Sequence, residues 1–196
     1  LISEVVEAAP GNTMKPLGLI EAALKQAGLE REQIECLAVG LGPGSYNGIR
    51  VAIALAQGWQ LAAGVKLLGV SSAECVAAQA HAEGLAGRLA VVIDAQRGEF
   101  YLAGYELNAE GQRETSPLHL TPPDEVRERE RTGERLIGPE VLRWFPNGRV
   151  VFPRAAMLGR MAPGRKDFVP GEKLEPIYLR ETSFVKAPPP RVRVEK

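Results

Sequence analysis

The chain has 196 residues, 45% hydrophobic and 24% charged, which is enough apolar content to bury a core as one domain or two small ones and excludes a disordered chain. Lys plus Arg and Asp plus Glu both number 24, so the formal net charge is zero. Proteins that hold nucleic acid unaided show a basic excess, and this chain has none.

The two cysteines, Cys36 and Cys75, form no CxxC pair, so neither a zinc cluster nor a redox motif is indicated, and both read as small apolar residues. No secretory signal is visible. The most membrane-like window, Val51–Val70, is broken by Gln57, Gln60 and Lys66 and reads as soluble core, so the expected compartment is the cytoplasm. The sequence opens at Leu1 without a Met, and its strand-like run Ile2–Val6 has no partner before it. The expectation is a first domain that is N-terminally incomplete.

After Pro10 and Gly11 break the chain, Asn12 or Thr13 is placed to cap a helix in which Met14, Leu17, Ile20, Ala23, Leu24 and Ala27 recur at helical spacing until Gly28. The apolar run Ile34–Val39 reads as a buried strand. It leads into Gly40-Leu41-Gly42-Pro43-Gly44-Ser45-Tyr46-Asn47-Gly48-Ile49-Arg50, and then into the Ala- and Leu-rich helix Arg50–Ala63. Such a loop is either a tight structural turn or an anion cradle at a helix N-terminus, with Ser45 or Asn47 as cap. It is neither GxxxxGK[ST] nor GxGxxG in register. On the following helix, Arg50, Gln57 and Gln60 fall on one narrow stripe, while Ile49, Val51, Ile53, Leu55, Trp59 and Leu61 cover most of the remaining circumference. A helix this apolar needs cover on two sides, either from its own neighbours or from another subunit.

Strand Lys66–Val70 and helix Ala73–Ala82 continue a strand–helix alternation that implies parallel strands. From Leu89, the runs Ala90–Asp94, Phe100–Leu107 and Arg113–Leu120 predict an antiparallel meander. A short exposed helix at Pro122–Arg131, strand Arg135–Ile137, helix Pro139–Phe145, strand Arg149–Phe152 and helix Arg154–Met161 follow. Glu175–Arg180 reads as extended, and Lys186–Lys196, with its Pro-Pro-Pro and scattered Arg and Lys, as a disordered basic tail with a phosphate-touching arm as the alternative. The expected division is a first domain at 1–70, a second at 71–180 that ends in a C-terminal return segment, and a tail at 181–196.

GPGSYNGIR closely resembles the GPGSxTGxR signature of the TsaB family, bacterial proteins that help make threonylcarbamoyladenosine in tRNA. Asn47 stands where that family usually has Thr. Asp94-Ala95-Gln96-Arg97-Gly98-Glu99-Phe100-Tyr101 resembles its DARRGEVY segment, Pro176–Arg180 its PxYLR ending, and Ser71-Ser72-Ala73-Glu74 its helix start. The resemblance implies an α/β, actin/Hsp70-like fold of two ribonuclease H-like domains. The first hairpin of that fold is absent from the sequence, Asn12-Thr13-Met14 occupies the place of the usual His-Ser-Glu, and Gly18 replaces a usual Pro.

The related catalytic subunit, TsaD, holds a metal through a His-x-x-x-His pair and binds nucleotide. This chain has only His81 and His119, far apart. Asp94, Arg97 and Glu99 are the one dense charged constellation beginning at a strand end, either an acid–base pair or a hydrogen-bonded turn. The resemblance therefore implies a non-catalytic partner with no catalytic or metal residues of its own. Its motif residues are Gly42, Pro43, Gly44, Ser45, Gly48 and Arg50, followed by Asp94, Arg97, Glu99 and Tyr101. The expected interface with TsaD comprises Met14, Leu17, Ile20, Leu24, Ile49, Ile53, Gln57 and Leu61. TsaE, tRNA, ATP and a metal ion enter only through the complex, no membrane is involved, and the chain alone is either a monomer or a homodimer paired through the same apolar faces. The rival is a nucleotide-binding enzyme that uses the glycine loop directly; a simple peptidase would need a nucleophile or metal that is not identifiable here.

Overall fold

The protein's computed structural model describes residues 16–180. The expected strand at 2–6, the caps Asn12 and Thr13, the interface residue Met14 and the tail at 181–196 lie outside the described residues. Helix α1 (Pro16–Ala27) starts on its proline, whose missing amide costs nothing in the first turn, and stops at Gly28, which has φ +67°. Strands β1 (Cys36–Gly40) and β2 (Lys66–Val70) pair in parallel. A parallel pair needs a crossover rather than a hairpin, and α2 (Tyr46–Ala63) supplies it. Ser45 caps α2 with its side-chain oxygen and Gly64, at φ +68°, ends it.

Helix α3 (Ser72–Ala82), capped by Ser71, leads into the second sheet. There β3 (Gly87–Asp94), β4 (Phe100–Asn108) and β5 (Gly111–Thr121) form the expected antiparallel meander. Helix α4 (Pro123–Arg131) carries the chain to β6 (Arg135–Gly138), which pairs with β3 in parallel. With β7 (Arg149–Val150) added, the order is β5-β4-β3-β6-β7. Alternation along β3 serves two cores. Leu89, Val91 and Ile93 pack with Ala73, Val76, Ala77 and Ala80 of α3, whereas Ala90 and Val92 face Leu102, Val126, Leu136 and Phe145. Gly138 is required at its position, because a Cβ there would run into the backbone carbonyl of Val92.

Two expectations are corrected. Pro139–Phe145 is not a helix: only a single 3-10 turn forms at Val141–Arg143, since the stretch is confined between strand β6 and Pro146-Asn147-Gly148 and cannot propagate. That one turn suffices to bury Val141 and Phe145 on one face and leave Leu142 and Trp144 exposed. The expected strand Arg149–Phe152 shrinks to the two residues of β7. Residues after helix α5 (Ala155–Met161) leave the second sheet: Val169 bridges to Leu67 of β2, Leu174 enters the core of the first sheet, and the Ile177 amide donates to the Leu41 carbonyl at 2.9 Å. Near its start this segment is tied to α3, where Arg165 Nη1 donates to Glu74 Oε1 at 2.8 Å. No helix among the described residues is long and apolar enough to cross a membrane.

Candidate functional site

The glycine loop is anchored on one side and open on the other. Gly42 and Pro43 are buried, the Leu41 amide donates to the Val70 carbonyl at 2.9 Å, and the Gly42 carbonyl accepts from the Ser72 amide at 2.8 Å. Gly42 has φ +93°, and a Cβ there would lie 2.7 Å from Ile49 Cδ1, so both backbone and packing demand glycine. From Gly44 to Asn47 the loop is exposed. Ser45 Oγ accepts from the Gly48 amide at 3.3 Å, which fixes Ser45 and not Asn47 as the cap. Tyr46 stacks on Tyr178 with centroids 5.9 Å apart, and the Arg50 guanidinium lies 5.3 Å from the Tyr46 ring centroid. Hydrogen bonding to Tyr178 and the neighbouring Tyr46 keep Arg50 firmly protonated.

The turn between β3 and β4 is tied at nearly every group. Asp94 Oδ1 accepts from the Gln96 amide at 2.7 Å, and the Ala95 amide donates to the Glu99 carbonyl at 3.0 Å. Arg180 Nη2 donates to Glu99 Oε2 at 2.7 Å and to the Ala95 carbonyl at 3.0 Å. Gln96 and Arg97 are the two described non-glycine residues with positive φ, +65° and +59°. Arg97 itself is exposed and has no partner among the described residues, so the partner of the Asp94–Glu99 constellation is Arg180 and not Arg97. Arg143 adds its Nη1 at 4.0 Å from Asp94 Oδ2. Tyr101, the last motif residue, is half-buried against the α3-side core and takes no part in the turn.

Helix α2 sorts its faces differently from the sequence expectation. Its glutamines point inward: Gln57 Nε2 donates to the Gly171 carbonyl at 2.8 Å, while Gln60 Oε1 accepts from the Gly171 amide at 2.6 Å. Ile53 is 5% exposed within the core of the first sheet and Ile49 packs against that core. Leu61, by contrast, is 89% exposed. Ala54, Leu55, Gly58, Trp59 and Ala62 face Leu17 and Ile20 of α1 across a cavity of about 510 Å³. No residue of α1 is fully buried.

The family described as TsaD, tRNA N6-adenosine threonylcarbamoyltransferase, matches residues 13–159. The chain belongs to this family. Within it the chain is TsaB-like: it is 36% identical over 100 residues to the tRNA threonylcarbamoyladenosine biosynthesis protein TsaB of Escherichia coli, covering 51% of this chain and 43% of that one. It is 33% identical over 92 residues to the Haemophilus influenzae protein of the same name, covering 47% and 39%. The match thus spans about four-tenths of the length of these curated relatives. Among solved structures, YeaZ from Pseudomonas aeruginosa superposes with a TM-score of 0.72 at 27% identity over 84% of each chain. A second structure from that organism, described as an uncharacterized protein with similarity to peptidase YEAZ, gives 0.72 at 28% identity over 84% of this chain and 82% of that one. The mixed α/β architecture is the actin/Hsp70-like fold.

In this TsaB-like chain the three matching segments converge in space. Tyr178 of the PxYLR ending packs on the glycine loop, and Arg180 of the same ending holds the Asp94–Glu99 turn. Tyr46, Tyr178 and Arg180 were not among the expected site residues. The signal available for them was the repeated pairing of aromatic and arginine within short motifs. Of the expected interface, Leu17 is exposed and Ile20 and Leu24 are half-buried, whereas Ile53 and Gln57 are corrected to intramolecular roles, since the core and the return segment already occupy them. His81 bonds the Asn108 carbonyl and His119 bonds Glu125, and no group of three His, Cys, Asp or Glu is placed to hold a metal among the described residues. Burial pushes the thiols of Cys36 and Cys75 up, away from the thiolate form.

Proposed function

We propose that this chain acts in threonylcarbamoyladenosine synthesis on tRNA as a non-catalytic, cytoplasmic subunit that binds and activates TsaD. TsaE joins as a third component, and nucleotide and metal reside in the partner complex. The observation that supports this reading is the uncovered apolar face of α2. Val51, Leu61 and Ala62 are exposed, and α1 adds Leu17 at 57% exposure beside the cavity. Apolar surface that is continuous across two helices is the usual mark of a protein interface. With no TsaD present, the same face serves to pair two copies of the chain.

Co-purification with the cognate TsaD tests the reading. Leu17→Asp with Leu61→Asp is expected to abolish the complex, while the native chain retains it. A complex undiminished by both charges removes this face from the interface. Calorimetry with ATP on the chain alone is expected to show no binding. Micromolar binding lost on Gly44→Val would instead establish the nucleotide-binding enzyme, and that substitution probes the loop fairly because Gly44 lacks a positive φ and a Cβ there meets only Ile49 Cδ1, at 3.9 Å.

A further inference from the structure

Two exposed ring–cation pairs and one arginine with no partner among the described residues lie along a single path of contacts. At one end Tyr46 and Tyr178, 59% and 51% exposed, stack with Arg50 over Tyr46. At the other end Trp144, 43% exposed, carries the Arg143 guanidinium 5.0 Å from its ring centroid. The Asp94–Glu99 turn joins them. Arg143 approaches Asp94 on one side and Arg180 grips the turn on the other, only two residues and therefore at most about 7 Å along the chain from Tyr178. At the tip of the turn stands Arg97, held at φ +59° and exposed.

The charge along this path is not cancelled locally. The Asp94 side chain is 7% exposed and bonded to the Gln96 amide, and Glu99, 41% exposed, is paired with Arg180, so the arginines of this path outnumber its carboxylates. The hairpin turn between β3 and β4 holds Gln96, Arg97 and Gly98 at positive φ, which leaves Arg97 at its tip. Beyond Arg180 the sequence adds Lys186, Arg191, Arg193 and Lys196 against Glu181 and Glu195.

We propose that this strip is a contact surface for an unpaired stretch of RNA, with bases stacking on Tyr178 and Trp144 and phosphates meeting Arg50, Arg97 and Arg143. Ring faces alternating with guanidinium groups are the chemistry that takes up splayed bases without reading sequence. Arg50, Arg97, Arg143 and Arg180 outnumber Asp94 and Glu99 along this path, an excess of positive charge that complements a phosphate backbone. The proposal rests on the reading that the chain works on tRNA. Zero net charge makes the strip an auxiliary surface, which adds affinity to a complex and does not capture RNA alone.

The test is fluorescence anisotropy of a labelled anticodon stem-loop RNA titrated with the complex of full chain and cognate TsaD, between about 50 and 200 mM salt. Tyr178→Ala is expected to weaken binding about tenfold and Tyr178→Phe to leave it unchanged. Arg97→Gln with Arg143→Gln is expected to lower the salt slope by about two contacts, with the complex intact on size exclusion. Affinity and slope unchanged in an intact complex overturn the proposal. So does loss of the TsaD complex in these variants, which would make the strip a protein interface. If the native chain forms no complex with TsaD on size exclusion, the functional reading fails, and the strip, which adds affinity only within that complex, is overturned with it.

Discussion

Arg180 donates to Glu99 at 2.7 Å across 81 positions of sequence, and the same guanidinium nitrogen reaches the carbonyls of Ala95 and Gln96. The last motif of the chain thereby supports the turn of the middle one. That turn needs support, because each left-handed non-glycine residue costs roughly 1–2 kcal/mol.

Arg180→Ala is therefore expected to destabilise the protein by about 1–2 kcal/mol in urea unfolding, at the lower end of what a charge-assisted bond contributes because Glu99 is partly solvated. All three contacts leave one nitrogen, Nη2, so Arg180→Lys, whose single ammonium carries three N–H groups, should recover part of the loss. No recovery with Lys would show that the length and planarity of the guanidinium matter more than its charge.

Two glycine substitutions should differ sharply. Gly42→Ala combines a positive φ with a clash against the movable end of Ile49, and is expected to cost about 1–3 kcal/mol. At Gly138 the obstacle is the Val92 backbone carbonyl, which cannot turn aside, so Gly138→Ala forces β3 and β6 apart and is expected to cost more than about 4 kcal/mol. Equal melting temperatures for the two variants would contradict the β3–β6 spacing.

Charges on α2 should separate folding from docking. Leu61→Asp is expected to change stability by less than about 0.5 kcal/mol because the side chain is 89% exposed. Ile53→Asp places a carboxylate in the first-sheet core and is expected to unfold the chain or cost more than about 3 kcal/mol. Circular dichroism melts of the purified variants measure both. A stable Ile53→Asp chain would mean that α2 is rotated from the orientation described.

Acid should weaken the start of the return segment. The Arg165 guanidinium beside Asp167 pulls its carboxyl down to about 2 from an ordinary value near 3.8. A depressed folded-state value stabilises the fold above the unfolded value, and that contribution fades as pH falls toward about 2. Asp167→Asn should accordingly melt below the native chain at pH 5 and converge with it near pH 2. A difference independent of pH would exclude the carboxylate as its source.

Local chemistry in the sequence was sufficient for much of this protein. Alternation fixed the meander from Ala90 to Leu120. Gly28 marked the end of α1, and the apolar run before the glycine loop located β1 to within two residues at its start. These are short-range effects of side-chain period and backbone freedom, and they act wherever the residues occur. Other features depended on what arrives from elsewhere in the chain. Gln57 and Gln60 read in the sequence only as a narrow polar stripe, with Gln57 assigned to a partner interface, until residues 171–174 supply the backbone groups they bond. Ile53 and Leu61 are equally apolar in the sequence, yet the sheet covers one and leaves the other bare. Arg180 found its partner 81 residues away, at a range where no periodicity in the sequence operates. Tertiary structure alone decided which side of α2 is covered and which motifs meet, because burial belongs to the assembled surfaces and not to any one segment.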